Sequence, residues 1–274
     1  KHDVLLHLLV YLITGSIAGY LAGLFGVGGG IIIVPVLVML FKATGISPSV
    51  IMPLAIGTSM AVVTVTSLMG AKAHYANMNV DWQKVKLLLP VVLFGVVIGA
   101  LLGSYIAREA LVWCVIAFEL SVAGMFLLQV VRKDGHDEGA VPRQALSRPA
   151  MLAVSSVLGL VSSIVGIAGG TLFVPFLSFC GVGMRKAIGT ATALGAPLSL
   201  VAACVYLLTG LLSHKTVPAY SVGYIYLPAF SGCVAGGYWT SKHGASLGLK
   251  FNLRWLKLAF ALILLGAAGK MLFL

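Results

Sequence analysis

Apolar residues run through this chain in stretches of about 20, broken by short passages carrying Lys, Arg, Gly and Pro. Val91–Ala107 has no charge, Leu111–Val131 has one acid, and Ala187–Ser213 has none. A helix of roughly 20 residues spans a hydrocarbon layer about 30 Å thick at 1.5 Å per residue, so these runs predict transmembrane helices. The segments lie near 4–25, 31–42, 50–71, 87–107 and 110–131, then near 149–167, 170–182, 187–212, 222–241 and 255–274. The second of each five is short. Ile31–Phe41 would be only about 16 Å long as a helix, too short to cross alone. Broken or re-entrant segments are expected there.

The two groups of five echo one another. Gly26-Val27-Gly28-Gly29-Gly30-Ile31-Ile32-Ile33-Val34-Pro35 recurs as Gly166-Ile167-Ala168-Gly169-Gly170-Thr171-Leu172-Phe173-Val174-Pro175. Ile56-Gly57-Thr58-Ser59 recurs as Ile188-Gly189-Thr190-Ala191. Leu89-Pro90 is echoed by Leu227-Pro228, and Trp113 with Ala117-Phe118 by Trp255 with Ala259-Phe260. Matches in one order along both halves indicate an internal repeat. The expected organisation is a first transmembrane repeat at 1–131, a polar cytoplasmic linker at 132–148 and a second repeat at 149–274. The fold class is an all-α polytopic membrane protein of eight to ten segments, in two homologous halves.

Composition agrees: 60% of residues are hydrophobic, 9% are charged, and the mean hydropathy is +1.07. A soluble domain carries roughly a quarter charged residues. The net charge of +11 lies at segment ends and not on one face or tail, which argues against nucleic acid and for the positive-inside rule. Its distribution also selects a topology. If the glycine breaks are kinks there are eight spans, and the 18 Lys and Arg divide 10 to 8. If each break reverses the chain there are ten segments, and the division is 13 to 5. The biased count is the expected one. It puts the linker in the cytoplasm and both termini outside, and five segments per half then invert the halves, as in many secondary transporters. No signal peptide is read, and because the first residue is not Met the true N-terminus is expected to have been trimmed. Cys114, Cys180, Cys204 and Cys233 stand singly in apolar segments, as core packing residues and not metal ligands. No metal and no cofactor is expected.

The glycine breaks carry the functional signal. Non-helical backbone at membrane depth persists only where protein or water satisfies its polar groups. Gly28, Gly29 and Gly30, and in the second copy Gly169, Gly170 and Thr171, allow several N–H groups to converge on one point. Pro35 and Pro175 read as starts of short helices, whose positive dipole ends would face the loops and favour an anion. The plainer reading is close helix packing by small residues. Pairing of the breaks, with proline at one spacing in both, favours a site. Thr58, Ser59, Thr190 and Thr192 follow on the next segments; their hydroxyls either complete that site or bond their own i−4 carbonyls.

Few titratable groups lie in apolar segments. Glu119 is mid-segment, with apolar Ala261 at the matching place, and is either a proton-coupling group or a structural hydrogen-bond partner. His74 and His214, following Gly70 and Gly210, sit near Lys72 and Lys215 as anchors or as guides for an anion. No Walker A motif is present, and no His, Cys or carboxylate cluster has catalytic or ligand spacing. No catalytic residue is assigned and no enzyme activity is expected.

On the Gly19…Gly23-Leu24-Phe25-Gly26-Val27-Gly28-Gly29-Gly30…Val34-Pro35 signature, its partner Gly159…Gly166-Ile167-Ala168-Gly169-Gly170…Val174-Pro175, and the Gly57-Thr58-Ser59 and Ala187-Ile188-Gly189-Thr190 stretches, the chain resembles the sulfite exporter TauE/SafE family of membrane transporters. The resemblance covers essentially the whole chain. It implies transport of sulfite, thiosulfate or a sulfonate such as sulfoacetate across the bacterial inner membrane. The second copy departs from the first at Ala168, in place of Gly28, and at Ser163, in place of Gly23. The expectation is a secondary transporter for a small sulfur-containing anion, held between the glycine loops while the halves move against each other. The alternatives are an anion channel and a carrier of a non-sulfur organic anion. The expected partners are that anion and the lipid bilayer, with no nucleic acid; a homodimer is left open.

Overall fold

The computed structural model describes residues 2–25, 29–131, 146–247 and 253–272. Among these residues there are ten helices: α1 (His2–Phe25), α2 (Gly30–Ala43), α3 (Pro48–Ala76), α4 (Trp82–Tyr105), α5 (Arg108–Val131), α6 (Arg148–Val165), α7 (Gly170–Phe179), α8 (Met184–Leu212), α9 (Leu227–Leu247) and α10 (Leu253–Leu272). Residues 132–145, most of the expected linker, lie outside the described residues.

Local chemistry fixes the boundaries. Pro48 and Pro149 occupy first-turn positions, where a missing N–H costs nothing. Asp81 caps α4 by accepting the Lys84 N–H at 3.2 Å, which moves the start ahead of the apolar run at residue 87. Before α9, Ser221–Val222 and Ile225–Tyr226 pair as a two-residue hairpin, so the helix begins at Leu227 and not at 222. Helices α3, α4, α6 and α8 are long and apolar enough to cross a membrane; α2 and α7 are short apolar helices.

The expected helix starts at Pro35 and Pro175 are corrected. α2 begins at Gly30 and α7 at Gly170, with each proline inside its helix. The left-handed φ of 71° at Gly29 turns the chain before α2, so the helix starts directly behind the glycine. Five residues further on, the proline removes only the N–H that would have met the carbonyl four residues earlier.

Helix pairs join the two expected halves. A Cβ on Gly15 would strike the Cys233 backbone, and one on Gly19 would lie 2.6 Å from the Gly237 Cα, so α1 and α9 run parallel in close contact. Gly95 against Ser156 and Gly99 against Leu160 do the same for α4 and α6. Small residues allow this approach, and dispersion contacts replace the hydrophobic force that lipid does not supply. α3 and α8 cross antiparallel: Thr64 bonds Ser199 at 3.2 Å, Ser67 faces Gly195, and Gly70 faces Thr192. α3 also packs on α9, α8 on α4, and α5 on α10. The long helices therefore pack chiefly across the two halves, whereas the short α2 and α7 rest mainly on α3 and α8 of their own half.

The expected echo of Leu89-Pro90 in Leu227-Pro228 does not survive. Pro90 lies inside α4, whereas Pro228 is the second residue of α9. Of the cysteines only Cys233 is buried; Cys114 and Cys204 are exposed on the helix surfaces, so the core role fails for those two.

Candidate functional site

The two glycine breaks meet. Gly29 lies against α1 at Ala18, whose carbonyl oxygen would be 2.8 Å from a Cβ on Gly29. Gly166, with φ 84°, ends α6, and its N–H and that of Ile167 both bond the Ser162 carbonyl. A Cβ on Gly30 would stand 2.5 Å from the Gly166 carbonyl oxygen and 3.1 Å from Ser59 Oγ. Ser59 donates to that carbonyl at 3.0 Å. The start of α2 therefore packs directly on the end of α6, beside the middle of α3. Gly28, an expected site residue, lies outside the described residues; Gly29, Gly30, Gly170 and Thr171 are buried, as is Gly169.

The hydroxyls divide into two kinds. Thr58 Oγ1 donates to the Leu54 carbonyl at 2.6 Å and accepts the Tyr226 N–H at 2.9 Å. Thr190 Oγ1 accepts the Asp81 N–H, also at 2.9 Å. These two bonds are equivalent. Each threonine follows a glycine, Gly57 or Gly189, whose missing Cβ admits the carbonyl of Tyr224 or Asn79. Each incoming segment turns through a left-handed residue, Gly223 or Met78, both with φ 54°. The threonines latch the entry of α9 onto α3 and that of α4 onto α8. Sequence reading missed these segments because Met78-Asn79-Val80-Asp81 and Gly223-Tyr224-Ile225-Tyr226 share no residue; only backbone shape is repeated. Thr192 donates to the Ile188 carbonyl at 2.8 Å, the i−4 bond expected of a membrane-helix threonine.

The structure separates the two histidines. His74 is buried in the last turn of α3, and its Nε2 has no hydrogen-bond partner among the described residues. His214 is exposed in the loop after α8. Glu119 is 0% exposed, and neither carboxyl oxygen has a hydrogen-bond partner among the described residues. Its place on α5 is that of an interior carboxyl. Among the described residues no group of three His, Cys, Asp or Glu side chains is placed to hold a metal ion.

Comparison with known proteins decides the family. The model of the family described as Sulfite exporter TauE/SafE matches residues 11–271. The chain belongs to the sulfite exporter TauE/SafE family. It is 35% identical over 264 residues to a probable membrane transporter protein of Haemophilus influenzae, covering 96% of this chain and 97% of that one. It is 26% identical over 272 residues to a probable membrane transporter protein of Methanocaldococcus jannaschii, covering 96% and 95%. With the probable membrane transporter protein YunE of Bacillus subtilis it shares 25% identity over 272 residues, covering 93% and 94%. No solved structure matches. This TauE/SafE chain is a multi-pass membrane transporter, and a place in the bacterial inner membrane agrees with its bacterial relatives.

Proposed function

We propose that this TauE/SafE protein is a secondary carrier that moves a small sulfur-containing anion, such as sulfite, thiosulfate or an organosulfonate, and performs no chemistry on it. The observation that carries the reading is the meeting of the glycine breaks, with Gly30 against the Gly166 carbonyl. Two short helices, α2 and α7, begin at these breaks, and helix starts favour negative charge. Gly28, Gly29, Gly30, Gly169, Gly170 and Thr171 form the anion's surroundings in this reading, with Ser59 and Thr192 beside them. Thr58 and Thr190 position the walls through their latches.

The antiparallel crossing of α3 and α8, matched segments by sequence, supports an inverted relation between the repeats 1–131 and 149–274. Because α1 packs with α9 and α4 with α6, the moving bodies are mixed: α1, α3 and α9 against α4, α6 and α8. Glu119 is the candidate for a proton-coupled step, and exposed His214 for guidance of the anion.

Calorimetric binding of sulfite, thiosulfate, sulfoacetate and taurine tests the reading, with wild type compared against Gly29→Val and Gly170→Val. Gly183→Ala, where nothing lies within 4 Å of the new methyl, is the folding control. Selective binding lost in both valine variants supports the carrier. Normal binding in both, or none in a well-folded wild type, refutes it.

A further inference from the structure

The two halves solve one local problem differently. Tyr206 stands as far beyond Thr190 as His74 stands beyond Thr58. Both side chains reach back to the end of the first helix of their own half. The Tyr206 hydroxyl donates to the Ser163 carbonyl at 3.1 Å, and the His74 ring meets the backbone of Gly23, the residue matched to Ser163. The tyrosine has one polar atom and this bond uses it. The imidazole has two, and its Nε2 stays buried with no partner among the described residues, in a side chain 7% exposed. Burying a polar nitrogen unmet is costly, so such an atom calls for an occupant.

The surroundings supply the rest of a site. Ser67, Gly70 and His74 recur at i, i+3 and i+7 and share one face of α3. A methyl on Gly70 would lie 3.1 Å from Thr192 Cγ2 and 3.7 Å from Ser241 Oγ. One on Gly195 would lie 3.5 Å from Ser67 Oγ and 3.7 Å from the Ala168 Cβ. The seam beneath His74 thus follows α8 down to the second glycine break, with the start of α7 at Gly170 two residues beyond Ala168. Its polar groups are an imidazole, hydroxyls and backbone.

At the matching positions of the other half the glycines pack on Tyr206 itself and on apolar side chains, with the one polar atom of the phenol already bonded. A Cβ on Gly57 would be 3.0 Å from the Tyr206 Cβ, Gly103 abuts the Tyr206 hydroxyl, and Gly166 is closed by Val34 and Ile56.

We infer that the anion site is one-sided, and that His74 binds the transported oxyanion directly from inside the bundle, in the seam with Ser67, Gly70, Thr192 and Gly195. This rests on the carrier reading and changes the role of His74 from a guide at the membrane surface to a ligand. Sulfur oxyanions and carboxylates share the required chemistry, an oxygen that meets Nε2 with one proton between them, carried either by the imidazolium or by the acid form of the anion.

Calorimetry with sulfite, sulfoacetate and acetate distinguishes them and tests the site in the full chain, reconstituted in nanodiscs. His74→Ala is expected to weaken the preferred anion by about 10- to 100-fold, the loss of one hydrogen bond to a charged group. His74→Gln, which keeps an amide donor, recovers part of it. Tyr206→Phe leaves affinity within about twofold, since its bond serves the fold alone. Saturating anion should also slow modification of His74 by diethylpyrocarbonate in the wild type, a readout that needs no variant to fold. Wild-type affinity in His74→Ala, or no protection of His74, overturns the inference. If Gly170→Val abolishes binding while His74→Ala does not, this inference alone fails. If folded wild type binds none of the three anions, the carrier reading falls with it.

Discussion

Replacing Thr58 by valine keeps the shape of the side chain and removes the oxygen that receives the Tyr226 N–H at 2.9 Å. Thr58 is 0% exposed, so no lipid headgroup or bulk water takes over that donor. Leaving a buried N–H unmet costs about 1–3 kcal/mol. Hydrogen bonds in membrane bundles average about 0.6 kcal/mol with a maximum near 1.7, which puts the expectation at the lower end, about 1–2 kcal/mol. Thr190→Val should cost the same, because the Asp81 N–H it accepts is held at the same distance. The two latches share no partner, so the double variant should equal the sum within about 0.5 kcal/mol. Serine at either position keeps the oxygen and should stay close to wild type. Unfolding in mixed detergent micelles gives the energies, and amide hydrogen exchange reports the bonds: protection at Tyr226 falls in Thr58→Val only, and at Asp81 in Thr190→Val only. Valine variants as stable as wild type, or serine variants as weak as valine, would refute the latch. A loss of anion affinity with stability unchanged would instead return the two threonines to the substrate.

Gly30→Ala places a methyl 2.5 Å from the Gly166 carbonyl oxygen, and overpacking of this kind costs about 1–3 kcal/mol; the melting temperature should fall, whereas Gly183→Ala melts as wild type does. Gly103→Ala drives a methyl into the Tyr206 hydroxyl, so Tyr206→Phe should rescue part of its loss, and a double-mutant cycle with additive energies would argue against that contact. Cysteines at Thr64 and Ser199, whose oxygens are 3.2 Å apart, tie α3 to α8 when oxidised; anion flux in proteoliposomes should stop and return with reductant, and undiminished flux after cross-linking would show that α3 and α8 do not move against each other. Glu119→Gln leaves a neutral side chain at a 0% exposed position, so the protein should fold normally while flux loses its response to an imposed proton gradient; an unchanged response removes Glu119 from coupling.

The segment count was legible because lipid imposes a length on every apolar run, and the breaks because glycine and proline mark backbone that cannot be helical. What stayed hidden was pairing. A membrane helix is apolar on every side, so sequence does not say which neighbour it meets, and nothing in α1 points to α9. The glycines that permit the contact, Gly15, Gly19 and Gly237, look like any small residues until the partner is in place. The repeat misled at Leu227-Pro228 because a dipeptide match is weaker evidence than backbone shape. Met78 and Gly223 share φ 54° with no identity around them, and that shape sets the true register of α4 against α9. The same register pairs His74 with Tyr206 and detaches it from His214, which the shared glycine-histidine pattern had suggested. Repeats of this kind are conserved first as geometry. Where a chemical group breaks the match, as an imidazole does opposite a phenol, the difference marks the place where two similar halves do different work.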